Sequence, residues 1–201
     1  MKLYHSANSP FVRKVMIAAE MLGLVGRIEL VPARGNVLVR DPAFRAVNPS
    51  GQIPTLLTDE GEALFDSPVI CEYLDAMAGG LLFGQGDARW RNLRDQALGD
   101  TMLDAALQTR YESAMRPVEL RWQDWQDAWS NKIVDTMALL EARAGTLAGR
   151  LDIGVVSIFC ALAYIDTRLS ETVSWRQRFP ALADWFTAFA ANPLISPSAP
   201  T

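Results

Sequence analysis

Ser9 and Pro10 form the first of three short segments whose residue types and position can support chemistry. A serine at an N-cap followed by proline at the first helical position begins a predicted helix over 11–22. A helix N-terminus presents unpaired N–H groups and a partial positive charge, so it attracts anions. A hydroxyl there can also donate a hydrogen bond to a thiolate and favour ionisation of that thiol. Taken alone, the segment favours a simple helix cap.

The second segment is Gln52-Ile53-Pro54, within a turn-rich run that no continuous helix accommodates. With a cis bond before Pro54, the backbone of Ile53 would face outward beside the start of the first helix. Its N–H and C=O would then pair with an extended peptide as an added strand does. Only about 5–6% of X–Pro bonds in folded proteins are cis, so this segment alone favours a trans-proline turn.

The third segment is Asp66-Ser67-Pro68. We expect Ser67 to be an N-cap and Pro68 the first helical residue of another helix. Asp66 offers a carboxylate for an ammonium group, and the helix N-terminus offers N–H groups for a carboxylate. Together they predict a receptor for the head of an α-amino acid.

The composition is that of an ordinary globular protein and excludes several partners. The chain has 201 residues, 50% of them hydrophobic, and a formal net charge of -4. A negative charge does not favour a nucleic-acid surface. The first residues do not resemble an export signal, and no apolar stretch approaches the roughly 20 residues that span a bilayer. We expect a cytoplasmic protein without nucleic-acid or membrane partners.

Cysteine and histidine are too scarce for most metal and triad chemistry. Cys71 and Cys160 are far apart, and His5 is the only histidine. A structural disulfide is not expected in a chain without an export signal. We expect no metal site, and a Ser-His-Asp triad would have to use His5.

The apolar pattern changes along the chain. Up to Gly80, short strand-like runs alternate with helical periodicity in the order β-α-β-α-β-β-α. From Asp87 only helical periodicity remains, with predicted helices over 88–115, 118–144, 155–169 and 180–191. The sequence therefore predicts an α/β domain over 1–79, a glycine-rich linker, and an all-helical domain over 87–201.

The order and spacing of the three segments resemble the N-terminal domain of glutathione transferases. The shared features are a helix start after the first strand, the Asn-Pro-x-Gly-Gln-Ile-Pro run over 48–54, and Asp-Ser-Pro over 66–68. The Ser-Pro-Phe-Val-Arg-Lys run over 9–14 is similar to that of a bacterial subgroup. The resemblance rests on specific motifs over 1–80. The remainder of the chain is similar to the family only in being helical and in its length. It implies a thioredoxin-like domain, a helical C-terminal domain, and glutathione as co-substrate without a metal.

The resemblance also implies a site for glutathione. Ser9 matches the residue that contacts the sulfur in this family, with Ser6 and Asn8 as neighbouring alternatives. The resemblance further implies that the backbone of Ile53 pairs with the cysteinyl part of glutathione and that Pro54 is the family's cis-proline. Gln52 matches a side chain that contacts the tripeptide. Asp66 and Ser67 match the pair that binds the γ-glutamyl ammonium and carboxylate.

Two features lie outside this match. Contacts to the glycyl carboxylate vary in the family, and Arg34 and Asn36 are candidates. The family's penultimate long helix usually opens with Ser/Thr-x-x-Asp, whereas the stretch taken to match here runs from Ser157 to Cys160. Because Cys160 stands in place of the acid, we expect the N-terminal cap of this helix to be weaker by about 1 kcal/mol. The alternative is that Asp152 caps the helix one turn earlier.

An apolar pocket for the electrophile is expected from the first loop and the first long helix. Its candidate residues are Phe11, Met102, Leu103, Leu107, Arg110, Tyr111 and Met115. Most of these side chains suit a helical core equally well. Arg110 is the exception, because its charge would orient an acidic substrate. The tryptophans at 122, 125 and 129 share one helix face, so we expect them to serve packing.

The resemblance implies an enzyme that activates the thiolate of glutathione for attack on a small apolar electrophile. A glutathione-dependent peroxidase, isomerase or lyase fits the same motifs. The alternative is a non-catalytic binding or interaction protein of the same fold. A glutaredoxin-like oxidoreductase is not expected, because no cysteine precedes Cys71. The family usually forms homodimers, for which the interface candidates are Tyr73, Met77, Trp90 and Arg94.

Overall fold

The computed structural model of the chain describes residues 1–33, 38 and 41–195. These residues form two compact units, one over Met1–Gln85 together with the segment that follows Asn192, and one over Gly86–Asn192. The domain boundaries expected from the sequence, 1–79 and 87–201, remain a prediction. Arg34 and Asn36 lie outside the described residues.

The first unit contains a four-stranded mixed sheet and has the predicted element order. Its elements are β1 (Lys2–His5), α1 (Pro10–Met21), β2 (Glu29–Pro32), α2 (Pro42–Val47), β3 (Thr55–Leu57), β4 (Ala63–Leu64) and α3 (Ser67–Met77). The strand order is β2-β1-β3-β4. β1 is parallel to β2 and antiparallel to β3, and Leu3 of β1 lies opposite Leu56 of β3. The expected thioredoxin-like arrangement is confirmed.

Helices α1 and α3 pack against each other, and their apolar residues recur at helical spacing. Val15 and Ala18 of α1 and Ile70 and Leu74 of α3 are completely buried. The chain can leave α1 at Gly23 because that residue adopts a positive φ of 67°. This packing holds the N-termini of both helices in fixed positions within the unit.

The segment after α3 is clamped to the helix that precedes it. The buried carboxylate of Asp75 accepts hydrogen bonds from the N–H groups of Leu82 at 2.6 Å and Phe83 at 3.2 Å. Gly79 and Gly80 supply the positive φ angles that the intervening turn requires. The part of the predicted linker up to Phe83 is therefore ordered against α3.

The second unit consists of helices throughout its described residues. They are α4 (Gly86–Ala114), α5 (Gln123–Glu141), α6 (Ile153–Arg168) and α7 (Pro180–Ala190). Every residue of α6 from Ile153 to Ile165 is buried, which makes α6 the central helix of the unit. The ring of Phe159 lies 5.0 Å from Phe186 and 5.3 Å from Phe189, between ring centroids.

Helices α4 and α6 approach so closely that glycine is needed at their contacts. A Cβ added to Gly99 would overlap the backbone carbonyl carbon of Ser157 and lie 2.7 Å from the N atom of Ile158. One added to Gly154 would lie 2.7 Å from Cβ of Asp95. Because Gly154 lies beside Asp95 and Ser157 beside Gly99, the two helices run in the same direction.

Helix α6 is not capped by the stretch from Ser157 to Cys160 that the sequence analysis expected. Asp152 is the N-cap, and its carboxylate accepts hydrogen bonds from the N–H groups of Gly154 and Val155. Ser157 and Cys160 therefore lie inside the helix. The Ser157 hydroxyl is buried without a hydrogen-bond partner in the described part of the chain. The alternative of a cap at Asp152 is confirmed.

The helix predicted over 118–144 is also shorter than expected. Val118–Leu120 is a single 3-10 turn, and α5 begins only at Gln123. The reason is a bond to the end of α4: the N–H of Trp122 donates to the carboxylate of Glu112 at 2.8 Å, so Trp122 stays extended. Trp122 and Trp125 stack at 6.2 Å but are 60% and 38% exposed, so the tryptophan cluster is a surface feature.

Cys71 and Cys160 are buried, and neither forms a disulfide within the described residues. None of the helices in the described ranges combines the length and apolarity needed to cross a membrane.

Candidate functional site

Ser9 is the N-cap of α1, as predicted. Its oxygen accepts a hydrogen bond from the N–H of Val12 at 3.3 Å, and its N–H donates to the carbonyl of Ser6 at 3.0 Å. Of the three candidates for the sulfur contact, Ser9 is the one at the cap, while Asn8 is exposed and Ser6 contributes a backbone carbonyl to the turn. A hydroxyl that accepts in a cap still has its proton to donate.

A second donor lies one residue into α1. Pro10 has no N–H, and the N–H of Val12 is used by Ser9. The N–H of Phe11 forms no hydrogen bond with any other described residue. The first turn of α1 therefore offers the Ser9 hydroxyl and the Phe11 N–H side by side, at the positive end of the helix dipole. These groups can stabilise an anion such as a thiolate.

Asn48 organises the turn that carries Gln52. Its side-chain NH₂ donates to the carbonyl of Gln52 at 3.2 Å and to the hydroxyl of Thr55 at 2.8 Å. Its side-chain oxygen accepts from the backbone N–H of Ser50 at 3.0 Å and from the Ser50 hydroxyl at 2.8 Å. Asn48 and Thr55 are completely buried. A buried amide with every group satisfied fixes the backbone around it.

The Ile53–Pro54 peptide bond is cis, as the resemblance implied. Ile53 is half-buried, and its backbone N–H and C=O form no hydrogen bond with other described residues. The side chain of Gln52 is exposed. Ile53 therefore presents an unpaired donor and acceptor to which an extended peptide can bind.

The N-terminus of α3 is shifted by one residue from the prediction. Asp66, rather than Ser67, is the N-cap, and Ser67 is the first helical residue and 1% exposed. The Asp66 carboxylate is exposed, does not cap its own helix, and forms no ion pair within the described ranges. The N–H groups of Ser67 and Val69 likewise have no hydrogen-bond partner there. A free carboxylate beside free N–H groups suits an α-amino acid head group.

The electrophile candidates are distributed over both units. Phe11 is on α1, half-buried, with the Lys14 ammonium 5.7 Å from its ring centroid. The others are on α4 or just after it, and of these Met102 and Leu103 are core residues with exposures of 1% and 0%. The half-buried candidates on α4 are Leu107, Arg110 and Tyr111, and the half-buried Met115 follows the last residue of α4. The structure thus narrows the list on α4 to its second half.

Sequence reasoning missed the role of Asn48 and the position of Tyr164. Asn48 lies in the predicted turn, and a polar residue before Pro-x-Gly with a threonine soon after the turn is a usable signal for a residue that organises the loop. Tyr164, on α6, is 8% exposed, and helical periodicity predicts only that it faces the core. No group of three or more His, Cys, Asp or Glu side chains in the described part of the chain is placed to hold a metal ion.

Two family descriptions match the chain. "Glutathione S-transferase, N-terminal domain" matches residues 8–77, and "Glutathione S-transferase, C-terminal domain" matches residues 123–188. The GST-like protein YibF of Escherichia coli (strain K12) is 33% identical over 174 residues, which are 84% of this chain and 83% of YibF. A maleylacetoacetate isomerase of Pseudomonas aeruginosa is 41% identical over 78 residues, which are only 36% of that protein.

Two solved structures of glutathione transferase family members are also similar to this chain. A glutathione transferase family member from Pseudomonas fluorescens Pf-5 with bound glutathione has a TM-score of 0.95 and 38% identity, covering 100% of this chain and 98% of its own. A second structure from that organism, with bound S-(propanoic acid)-glutathione, has a TM-score of 0.91 and 36% identity, covering 100% and 99%.

Proposed function

Because the chain belongs to the glutathione S-transferase family, we propose that it binds glutathione and joins the thiolate of this tripeptide to a small electrophile. The observation that carries the proposal is the state of Ser9. Its oxygen is used as the acceptor of a helix cap, which leaves the hydroxyl proton for a sulfur anion. The glutathione held by a structural neighbour at 38% identity supports the same ligand.

Glutathione binding follows from the unpaired groups of the first unit. The exposed Asp66 carboxylate pairs with the γ-glutamyl ammonium, and the free N–H groups at Ser67 and Val69 receive the γ-glutamyl carboxylate. The backbone of Ile53 pairs with the cysteinyl residue as an added strand does, and the exposed side chain of Gln52 lies next to it in sequence. These contacts would hold the tripeptide extended on the first unit.

Thiol activation is the task of the first turn of α1. The Ser9 hydroxyl and the Phe11 N–H both donate to the sulfur, and the helix dipole favours its negative charge. A thiol whose ionised form accepts such bonds has a lowered pKa, so more thiolate is present at neutral pH. Ser9 is therefore the proposed catalytic residue.

The reaction is carbon–sulfur bond formation. A sulfur lone pair attacks the electrophilic carbon. In an addition, the π electrons move to the acceptor atom, which takes up a proton; in a substitution, a leaving group departs with its bonding electrons. Phe11, on the first turn of α1 beside Ser9, is the candidate of the first unit to contact the apolar part of the electrophile. A structural neighbour that holds S-(propanoic acid)-glutathione, a sulfur-substituted tripeptide, supports carbon–sulfur bond formation.

The proposal includes two further expectations. Glutathione chemistry and two cysteines that are not joined in a disulfide suit the reducing cytoplasm. A homodimer is also proposed, with an interface that includes Trp90, whose side chain is 69% exposed.

The test is the ultraviolet absorbance of glutathione thiolate bound to wild type, Ser9→Ala and Ser6→Ala across pH. We expect wild type and Ser6→Ala to hold the thiol with a pKa well below the ordinary value of about 8.5, and Ser9→Ala to restore it while still binding glutathione. Loss of one charge-assisted hydrogen bond should lower kcat/KM by about tenfold to a hundredfold.

Other outcomes separate the alternatives. Binding without any pKa shift in wild type would favour a non-catalytic binding protein of this fold. A shift lost only in Ser6→Ala would transfer the activating role to Ser6. No binding of glutathione by wild type would refute the proposal altogether.

A further inference from the structure

The second unit contains an open cavity of about 620 Å³ between α7 and the chain segment that leads into α6. On one side the lining residues lie on a single face of α7 and continue to Asn192, just beyond its end. On the other side they belong to the 3-10 turn Ala144–Thr146 and to the chain that follows it as far as Leu151. Pockets for small organic molecules have volumes of about 300–1,000 Å³. The cavity therefore has the size of a small-molecule binding site.

Small residues on both sides leave this space open. Half of the lining residues are alanine or glycine, namely Ala144, Gly145, Ala148, Gly149, Ala181 and Ala188. A Cβ added to Gly145 or to Gly149 would meet no atom within 4 Å, so neither position packs against a neighbour. Protein interiors are otherwise close-packed. The cavity is thus a place where two elements of the second unit approach each other without filling the space between them.

Both sides of the cavity are held by bonds within the second unit. The carboxylate of Glu141 accepts two backbone N–H groups at the start of α7, at 2.7 and 3.1 Å. The guanidinium of Arg150 donates to the carboxylates of Asp95 and Asp152, each at 2.8 Å. Asp95 is completely buried. Because these bonds need no ligand, the cavity is already formed in the free protein.

Two aromatic side chains contribute to the apolar lining. Trp185 and Phe189 both line the cavity from α7, and their rings stack with centroids 5.3 Å apart and planes inclined by 29°. Each side chain is 7% exposed, so both are fixed by packing on their other sides. A flat apolar group can pack against such rings with little loss of side-chain freedom.

The unmatched charge at the cavity is negative. Arg150 and Asp184 are the charged residues that line it within the described chain. The charge of Arg150 is already paired with two carboxylates. Asp184 is exposed on α7, and its carboxylate forms no ion pair or hydrogen bond with another described residue. A cationic group on a ligand would therefore find a partner here, whereas an anionic group would not.

We infer that this cavity binds a small aromatic amine. The ring of the amine packs against Trp185 and Phe189, and its ammonium group pairs with Asp184. All of the residues that line the cavity in the described chain belong to the second unit, whereas the groups proposed to bind glutathione belong to the first. The inference is therefore independent of the proposed function.

The test uses three probes that share one ring system and differ in charge. At pH 7, 2-naphthylmethylamine is a cation, 2-naphthylmethanol is neutral and 2-naphthylacetate is an anion. Calorimetry measures their dissociation constants for wild type, for Asp184→Asn, which removes the charge, and for Ala188→Leu, which fills part of the cavity. The matched controls are Asp135→Asn and Ala138→Leu, at exposed positions of α5 that do not line the cavity.

We expect wild type and both controls to bind the amine about threefold to fivefold more tightly than the alcohol, and the acid least tightly. This is the range of an ion pair at the protein surface. Asp184→Asn should bind the amine and the alcohol equally, with an unchanged affinity for the alcohol. Ala188→Leu should weaken binding of the amine by at least about tenfold, because the added side chain occupies part of its space. Saturation with glutathione should leave the affinity for the amine unchanged.

Several results would overturn the inference. Wild type that does not bind the amine, or an unchanged affinity for the amine in Ala188→Leu, would show that the cavity is not its site. Competition between the amine and glutathione would place the probe in the first unit instead. A preference for the amine that persists in Asp184→Asn would refute the role of that carboxylate. Since Asp184→Asn changes an exposed group without a partner in the described chain, it decides the question even if Ala188→Leu impairs folding.

Discussion

The side-chain NH₂ of Asn48 and the hydroxyl of Thr55 are joined by a 2.8 Å hydrogen bond, and both residues are completely buried. Asn48 follows α2, whereas Thr55 begins β3. Everything between them, including Gln52 and Ile53, is a loop whose ends are tied by this bond. The proposed peptide-binding backbone of Ile53 therefore depends on a residue that would not itself contact the ligand.

Asn48→Ala should destabilise the protein and weaken glutathione binding. The substitution removes the amide that donates to the Gln52 carbonyl and the Thr55 hydroxyl and accepts from the Ser50 N–H, which costs about 2 kcal/mol in the free energy of unfolding. Urea denaturation and calorimetric titration with glutathione measure the two effects. Asn131→Ala, at an exposed position of α5, is the control and should change neither. Unchanged glutathione affinity in Asn48→Ala would show that the loop holds its shape without the amide.

Asp66→Asn should weaken glutathione binding by about tenfold to a hundredfold, because an ammonium loses its ion-pair partner. The stability of the fold should hardly change, since the carboxylate neither caps α3 nor forms an ion pair in the described chain. Asp87→Asn makes the same change in the first turn of α4 and should leave the affinity unaltered. If both variants bind as wild type does, the γ-glutamyl head group is recognised elsewhere.

Asp95→Asn should remove a stabilising contribution that depends on pH. Burial alone would raise the pKa of Asp95, but hydrogen bonds from Arg150, Arg94 and Arg143 outweigh it and hold the pKa below its ordinary value. A carboxyl group with a lowered folded pKa stabilises the fold above its unfolded pKa, about 3.9, and loses that contribution as pH falls through the folded value.

Denaturation of wild type and Asp95→Asn between pH 7 and pH 3 tests this expectation. At pH 7 the variant should be less stable by about 3 kcal/mol, since the arginines keep their charge without a buried partner. The difference should narrow below about pH 4. A difference that stays constant to pH 3 would mean that packing, rather than ionisation of Asp95, sets the stability.

Gly99→Ala should destabilise the second unit by about 3 kcal/mol, because the added methyl group overlaps the backbone of Ser157 and forces α4 and α6 apart. Thermal unfolding measures the loss. Gly145→Ala serves as the control, since a Cβ there meets no atom within 4 Å and its φ is not positive. Equal melting temperatures for both variants would show that the helix pair can separate without cost.

Trp90→Glu should convert the proposed homodimer to monomer. Trp90 is the most exposed tryptophan of the described chain with a relative exposure of 69%, and a charge in an apolar interface opposes association. Sedimentation velocity measures the oligomeric state. Trp122→Glu, at a position 60% exposed, is the matched comparison and should remain dimeric. Dissociation of Trp122→Glu alone would place the interface at the tryptophan cluster.

Local signals predicted the first unit well. Ser9, Pro10 and Gly23 act within one helix, and the observed cap, start and end of α1 follow from their own conformational preferences. The same logic placed the start of α3 one residue late. Both Asp66 and Ser67 are good caps in isolation, and only the buried position of Ser67 against its surroundings distinguishes them.

The features that sequence reasoning missed all depend on contacts between distant residues. The late start of α5 follows from a bond between Trp122 and Glu112, and the role of Asn48 follows from its bond to Thr55. The electrostatic surroundings of Tyr164 involve Arg110 on another helix. Periodicity reports which face of an element is buried, but not which side chain of a distant element it meets.

The clamp between Asp75 and the N–H groups of Leu82 and Phe83 determines where this protein can be recombined with its relatives. A chimera that exchanges helical units at Gly79 would take Asp75 from one parent and the turn that presents its two backbone N–H donors from the other. A crossover after Phe83 keeps all three groups on the same parental segment. Recombinants joined after Phe83 should therefore be more stable than recombinants joined at Gly79.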